Sequence, residues 1–224
     1  MGVADLLQVK KGITPIVGGG GKTTLMYRMA EELHKRGSVI ICTSTKIMAP
    51  EHLPVLTYAG EDAVKEALAE HGMICVGEVA GERKLCCPAR LSFQRLADLA
   101  DYVLVEADGA KHLPLKAHEP FEPVIPEGSG KTVYVIGIDG IGKPLNMVCH
   151  RPERYSALCG VSLDEPVTPA MAAKVICAEK YGDIFFINKT EWPSRFIYAV
   201  ELAGLLPGPV VCGSLRKGEF QCLY

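Results

Sequence analysis

The chain has 224 residues, which allows one α/β domain with an insertion. It is 48% hydrophobic with a formal net charge of -2 and interspersed signs, which excludes a disordered chain, a nucleic-acid surface and a membrane surface. Nine cysteines, an odd number with no Cys-x-x-Cys pair, exclude a disulfide framework and a zinc ribbon and point to a reducing cytoplasmic compartment. The first residues lack a basic region and a cleavage site, so no signal peptide is expected.

In chain order, residues 1–12 read as a short helix and lead-in. Ile13 to Val17 is a β-type run entering Gly18-Gly19-Gly20-Gly21-Lys22-Thr23-Thr24, and a helix is predicted from Leu25 to about Arg36, capped by Gly37. Ser38 to Cys42 is a continuous apolar run, expected as a strand buried on both faces, and it leads into Thr43-Ser44-Thr45-Lys46. A loop over 50–60 and a helix from Glu61 to Glu70, with a Glu61/Lys65 pair, come next. Met73–Glu78 and Gly81–Cys87 read as a hairpin, an insert at about 73–90, and Ser92 caps a helix reaching Asp98. Tyr102 to Val105 is a strand ending in Glu106-Ala107-Asp108-Gly109. Leu113 to Pro126 is extended and proline-punctuated, fit to lie as a cover across a sheet edge.

The second half repeats the alternation. Thr132–Ile138 is a strand. Pro152 opens a helix with His150 and Arg151 at its entrance, and Thr168-Pro169 opens another running to about Lys180. Asp183–Ile187 is a strand closing in Asn188-Lys189-Thr190-Glu191, followed by a helix over Pro193–Ala203 and a last strand over Pro209–Cys212. Together these predict a single α/β domain over 1–224, P-loop NTPase-like. Five or more parallel strands form a mostly parallel sheet with helices on both faces and a small β-hairpin insert.

The glycine run is where the sequence points to chemistry. Glycines let successive backbone N–H groups turn inward, and the helix start adds free donors and a positive partial charge, an arrangement suited to phosphate. Lys22 is placed to reach the β- and γ-phosphates and the Thr23 hydroxyl to hold Mg²⁺. The common pattern has its first glycine further upstream, where this chain has Ile16, so the loop is the shorter Gly18-x-x-Gly21-Lys22-Thr23. A similarly short loop occurs in the Mur ligase group of ATP-binding enzymes.

Glu106 and Asp108 follow a buried strand as Walker B carboxylates do. Two residues apart in a strand, they would share a face and offer Mg²⁺ its one or two carboxylates. Thr45 or Lys46 either touches a γ-phosphate or closes a polar turn. Arg151, with His150, is a candidate anion or substrate contact. GTP-binding proteins carry Asn-Lys-x-Asp at a late strand end, where the aspartate accepts from the guanine N1–H and N2 amine. Asn188, Lys189 and Glu191 keep that acceptor chemistry with one added methylene, and Cys212-Gly213-Ser214 falls where a second base-contacting loop would lie. This predicts GTP over ATP; otherwise Glu191 is a solvated residue opening the last helix.

The segments Gly18-x-x-Gly21-Lys22-Thr23-Thr24, Glu106-Ala107-Asp108-Gly109, Pro114-Leu115-Lys116-Ala117-His118, Glu122-Pro123-Val124-Ile125-Pro126, Gly142-Lys143-Pro144-Leu145 and His150-Arg151-Pro152-Glu153 resemble the YqeC family over most of the chain. The resemblance implies a P-loop NTPase fold and an accessory role in maturing selenium-dependent molybdenum hydroxylases, with such a hydroxylase or its cofactor-maturation proteins as partner. The expected reading is a cytoplasmic Mg²⁺-dependent NTPase. Lys22, Glu106 and Asp108 are its catalytic candidates, and Thr45, Lys116, His150 and Arg151 are candidate substrate contacts. A kinase or ligase using ATP on a small substrate, and a non-hydrolysing nucleotide switch, are the alternatives. The vicinal Cys86 and Cys87, beside Arg83, Lys84 and Arg90, are either a reactive pair for selenium or sulfur or two ordinary cysteines at a strand end.

Overall fold

The apolar runs at 39–42, 102–105, 133–136 and 184–187 become strands whose residues are buried. The computed structural model describes residues 1–223. It has a mixed α/β fold with a mostly parallel central sheet flanked by helices.

In chain order the elements are α1 (Val3–Leu6), β1 (Gly12–Gly18), α2 (Lys22–Leu33), β2 (Val39–Thr43), β3 (Lys46–Met48), β4 (Val55–Leu56), α3 (Glu61–His71) and β5 (Met73–Val76). They continue with β6 (Glu78–Val79), β7 (Lys84–Cys86), α4 (Phe93–Leu99), β8 (Tyr102–Glu106), β9 (Leu115–Lys116) and β10 (Val133–Gly137). The remainder are α5 (Leu145–Val148), β11 (Cys149–His150), α6 (Pro152–Cys159), α7 (Pro169–Glu179), β12 (Ile184–Asn188), α8 (Pro193–Ala203), β13 (Val210–Ser214) and β14 (Glu219–Cys222). Among the described residues no helix is long and apolar enough to cross a membrane.

Two compact units are distinguished along the chain. The first holds Met1–Ile16, Thr23–Gly109 and Val124–Lys131; the second holds Val17–Lys22, Ala110–Pro123 and the chain from Thr132 on. In the first, β1, β8, β2, β5 and β4 lie side by side, all parallel. Their core is β-branched and aliphatic, with Ile13, Ile40, Ile74, Val103 and Val105 packed against Val64 and Leu68 of α3 and Leu96 of α4. Fully burying such a side chain is worth about 1.5–3 kcal/mol, so this shared core is a main contribution to holding the sheet and its helices together. Ser92 caps α4 as expected, accepting from the Arg95 amide at 3.1 Å. In the second unit β10, β12 and β13 are parallel, β14 joins antiparallel at the edge, and β9 pairs with β11 in a separate two-stranded ribbon. Thr168 caps α7 with proline at the first helical position.

Four local expectations change. Met73–Val76 is a parallel strand beside β2 and β4 and no arm of a hairpin, because three of its four residues are buried and can be satisfied only inside a sheet. The hairpin is the shorter β6–β7, and β3 adds a third antiparallel strand to it. Helix α2 begins at Lys22, so the lysine and both threonines belong to its first turn, and it stops at Leu33. Gly37 is not a left-handed cap; a Cβ there would meet the Asp101 carboxylate, which accepts from the Ser38 amide at 3.0 Å.

Candidate functional site

The phosphate-type turn lies in the second unit from Val17 to Lys22. Gly18, Gly20 and Gly21 have φ of 94°, 83° and 127°, values that glycine alone adopts cheaply. There is also no room for side chains. A Cβ on Gly18 would meet the Val135 carbonyl, one on Gly19 the carbonyls of Leu113 and Pro114, and one on Gly20 the backbone of Gly137. The Gly19 amide donates to the Val135 carbonyl at 2.9 Å and the Gly20 amide to the Leu113 carbonyl at 3.0 Å. These two donors are therefore engaged within the unit. Lys22, 5% exposed, donates from Nζ to the Gly18 carbonyl at 2.8 Å and closes the turn on itself. Thr24 is exposed on the same first helical turn.

Asn188 at the end of β12 fixes this turn. Its Nδ2 donates to the Gly20 carbonyl at 2.8 Å, while its Oδ1 accepts from the amides of Lys189 at 2.9 Å and Leu215 at 3.2 Å. Lys189, in a left-handed conformation, donates to Asp139 at 2.9 Å. So within the Asn188-Lys189-Thr190-Glu191 run, Asn188 supports the glycine turn and Lys189 binds a carboxylate that the sequence did not flag. Glu191 sits 3.6 Å from Arg195 one helical turn on.

The carboxylate group lies in the first unit. Thr23 donates from Oγ1 to Glu106 Oε2 at 2.6 Å. Strand β8 ends at Glu106, so Asp108 lies two residues beyond its end. Asp108 is nonetheless fully buried, and Glu106 is 6% exposed. Backbone contacts hold this corner: the Ala107 amide donates to the Ile16 carbonyl at 3.0 Å, and the Thr43 hydroxyl donates to the Glu106 carbonyl at 2.7 Å. The Thr45 amide donates to that same hydroxyl at 3.0 Å, so Thr45 closes a polar turn, and Lys46 is exposed in β3. Tyr27, one turn after Thr23, has its phenol pushed up by burial first and then by Cys75 and Glu106, and it stays a protonated donor. One hydroxyl and two carboxylates are hard oxygen donors of the kind Mg²⁺ takes, so Thr23, Glu106 and Asp108 fit that ion.

Three of the four candidate substrate contacts come together in the second unit, where β9–β11 pairing sets His150 beside Lys116. Two of them share a carboxylate partner. Glu122, 7% exposed, accepts from Lys116 Nζ at 2.8 Å and from Arg151 Nε at 2.6 Å. Burial pushes the Glu122 carboxyl up, but the hydrogen bonds from Lys116 and Arg151 outweigh it and hold it below the ordinary value. Burial first, then Lys116 and Arg151, bring His150 down to about 4, so its ring is neutral at pH 7. Arg151, left-handed at φ 67°, also covers the Phe121 ring at 5.0 Å. The signal that marks Glu122 in the sequence is a single acid among the apolar residues between Pro120 and Pro126. Cys86 closes β7, and burial first, then Cys86 and Glu78, push the Cys87 thiol up, which favours two ordinary cysteines over a reactive pair.

A family model described as YqeC protein matches residues 14–153. "Uncharacterized protein YqeC" of Escherichia coli (strain K12) is 30% identical over 174 residues, covering 72% of this chain and 66% of that protein, just under two thirds of its length. No solved structure matches the chain.

Proposed function

Because the chain belongs to the YqeC family, we propose that it is a cytoplasmic P-loop NTPase-like protein that binds a Mg²⁺–nucleoside triphosphate and serves as an accessory factor in maturing selenium-dependent molybdenum hydroxylases. The observation that carries the nucleotide reading is the closed glycine turn with Lys22 folded over it at the start of α2. The client rests on the family resemblance alone. In this reading the amides from Gly21 on and the Lys22 ammonium hold the phosphates, and Thr24 borders them. Thr23, Glu106 and Asp108 hold the ion, which when bound neutralises charge on the phosphate oxygens. Such a site works by positioning and charge compensation with little covalent chemistry of its own.

A kinase or ligase using ATP on a small substrate is a second reading, in which the partly exposed Arg151 is the cation of the group left to meet an anionic substrate. A non-hydrolysing switch differs from both in showing no turnover with the client present. Calorimetric titration of Mg²⁺–ATP and Mg²⁺–GTP into wild type, Lys22→Ala and Asp108→Asn tests the proposal. Wild type should bind at least one nucleotide. Lys22→Ala should lose about 10- to 100-fold, the worth of a charge-assisted hydrogen bond at ~1.5–3 kcal/mol. Asp108→Asn should lose the Mg²⁺ dependence more than the nucleotide. Wild type binding neither nucleotide, or Lys22→Ala binding unchanged, sinks the reading.

A further inference from the structure

The second unit contains a cavity of about 220 Å³ lined by Thr190, Glu191, Cys212, Gly213 and Ser214, with Phe196 and Phe220 among its other walls. It opens at the C-terminal ends of the parallel strands β12 and β13, the edge at which ligands of open α/β sheets bind. Its volume is below the about 300–1,000 Å³ of sites that take a whole drug-sized ligand, so it suits one ring system. Chain neighbours of its lining touch the glycine turn: Asn188, two residues before Thr190, bonds Gly20, and a Cβ on Gly21 would meet Asn188 and Leu215, the residue after Ser214. Glu191 brings a carboxylate to this wall. One oxygen lies 3.6 Å from Arg195, and the other is buried with no hydrogen-bond partner among the described residues. A buried acceptor left unmade calls for a donor.

We propose that this cavity takes the purine base of the bound nucleotide and that Glu191 selects guanine there, an inference that rests on the nucleotide reading above. The guanine edge carries two adjacent donors, N1–H and the N2 amine, that match the two oxygens of one carboxylate. Adenine sets an acceptor nitrogen beside its amine, so one Glu191 oxygen would face a lone pair. A site built around such a hydrogen bond rejects the analogue lacking it far more strongly than an apolar pocket does. Xanthine has a carbonyl where guanine has the N2 amine, so a Gln at the same place would donate to it.

The experiment is competition binding of Mg²⁺–GTP, –ATP and –XTP to wild type and Glu191→Gln. Wild type should prefer GTP over ATP by about tenfold or more, and Glu191→Gln should lose that preference and gain XTP binding, a gain that misfolding cannot produce. If wild type binds GTP and ATP alike, or Glu191→Gln keeps the preference, the base assignment falls while the nucleotide reading stands. If wild type binds none of the three, both fall.

Discussion

The second unit buries two lysines in two different settings. Lys22 folds onto a backbone carbonyl four residues back, inside a turn made of neighbours in sequence. Lys116, its side chain fully buried, meets the Glu122 carboxylate, and that carboxylate also receives Arg151 from a third segment. The first arrangement is a scaffold of glycine conformations and backbone hydrogen bonds. The second is an ion cluster, in which removing one member leaves charge behind in a place water does not reach. Changes to the turn should therefore be felt in ligand affinity as well as in stability, and changes to the cluster mainly in folding.

The sharpest test of that contrast is Glu122→Gln. It removes the charge that Lys116 and Arg151 share, and breaking a buried pair of this kind costs about 3–5 kcal/mol. Denaturant unfolding at pH 7 should show the loss. Because the folded pKa of Glu122 is depressed, its contribution is complete above the unfolded value of 4.5 and disappears as pH falls through the folded one. The gap between wild type and variant should close in that acid range; a gap independent of pH would deny the cluster its role.

Gly20→Ala should come next, at about 1–3 kcal/mol, since the new methyl meets the Gly137 backbone at a φ of 83°. It should also lower nucleotide affinity, and unchanged affinity would mean the turn tolerates rearrangement. Asn188→Ala removes the donor to the Gly20 carbonyl. A loss of about 1 kcal/mol, with affinity reduced several-fold, is expected by denaturation and calorimetry; a loss of stability without any loss of affinity would separate Asn188 from the turn's function. The smallest effect is a titration. Arg151→Ala should raise the His150 pKa from about 4, but not to 6.5, because burial is the larger cause of its depression. Since the folded pKa is the lower one, protonating His150 opposes folding, and the penalty grows as pH falls below 6.5. Histidine NMR signals followed against pH would report it, and an unmoved midpoint would put Arg151 outside the field His150 feels.

How far each region could be read in advance follows from where its residues lie in the sequence. The glycine turn is contiguous, so the strand, the turn and the start of the helix announce themselves together. The cluster could not be assembled from the sequence, because it depends on two-residue strands at 115–116 and 149–150 pairing, and such short elements carry no periodicity. Lys116, His150 and Arg151 were legible as candidates one at a time, and Glu122 only as part of a motif. The Asn188 run shows a mixed outcome, since its strand-end position was legible but the bond from Asn188 to Gly20 needed the fold. Asp108 was legible as a candidate through the acidic pair, yet its position past the end of β8 was not, because the point where a strand stops is set by neighbouring backbone.

Among the left-handed residues other than glycine are Arg151, Lys189 and Lys180. The first two hold a carboxylate with their side chains, so their backbone cost supports a specific bond. Lys180 is exposed and merely ends α7, with its amide on the Ile176 carbonyl, a place helices usually give to glycine. It marks where an engineer seeking a hardier protein should begin: glycine at 180 would relax the chain by roughly 1 kcal/mol and leave every bond to Glu122 and Asp139 as it stands.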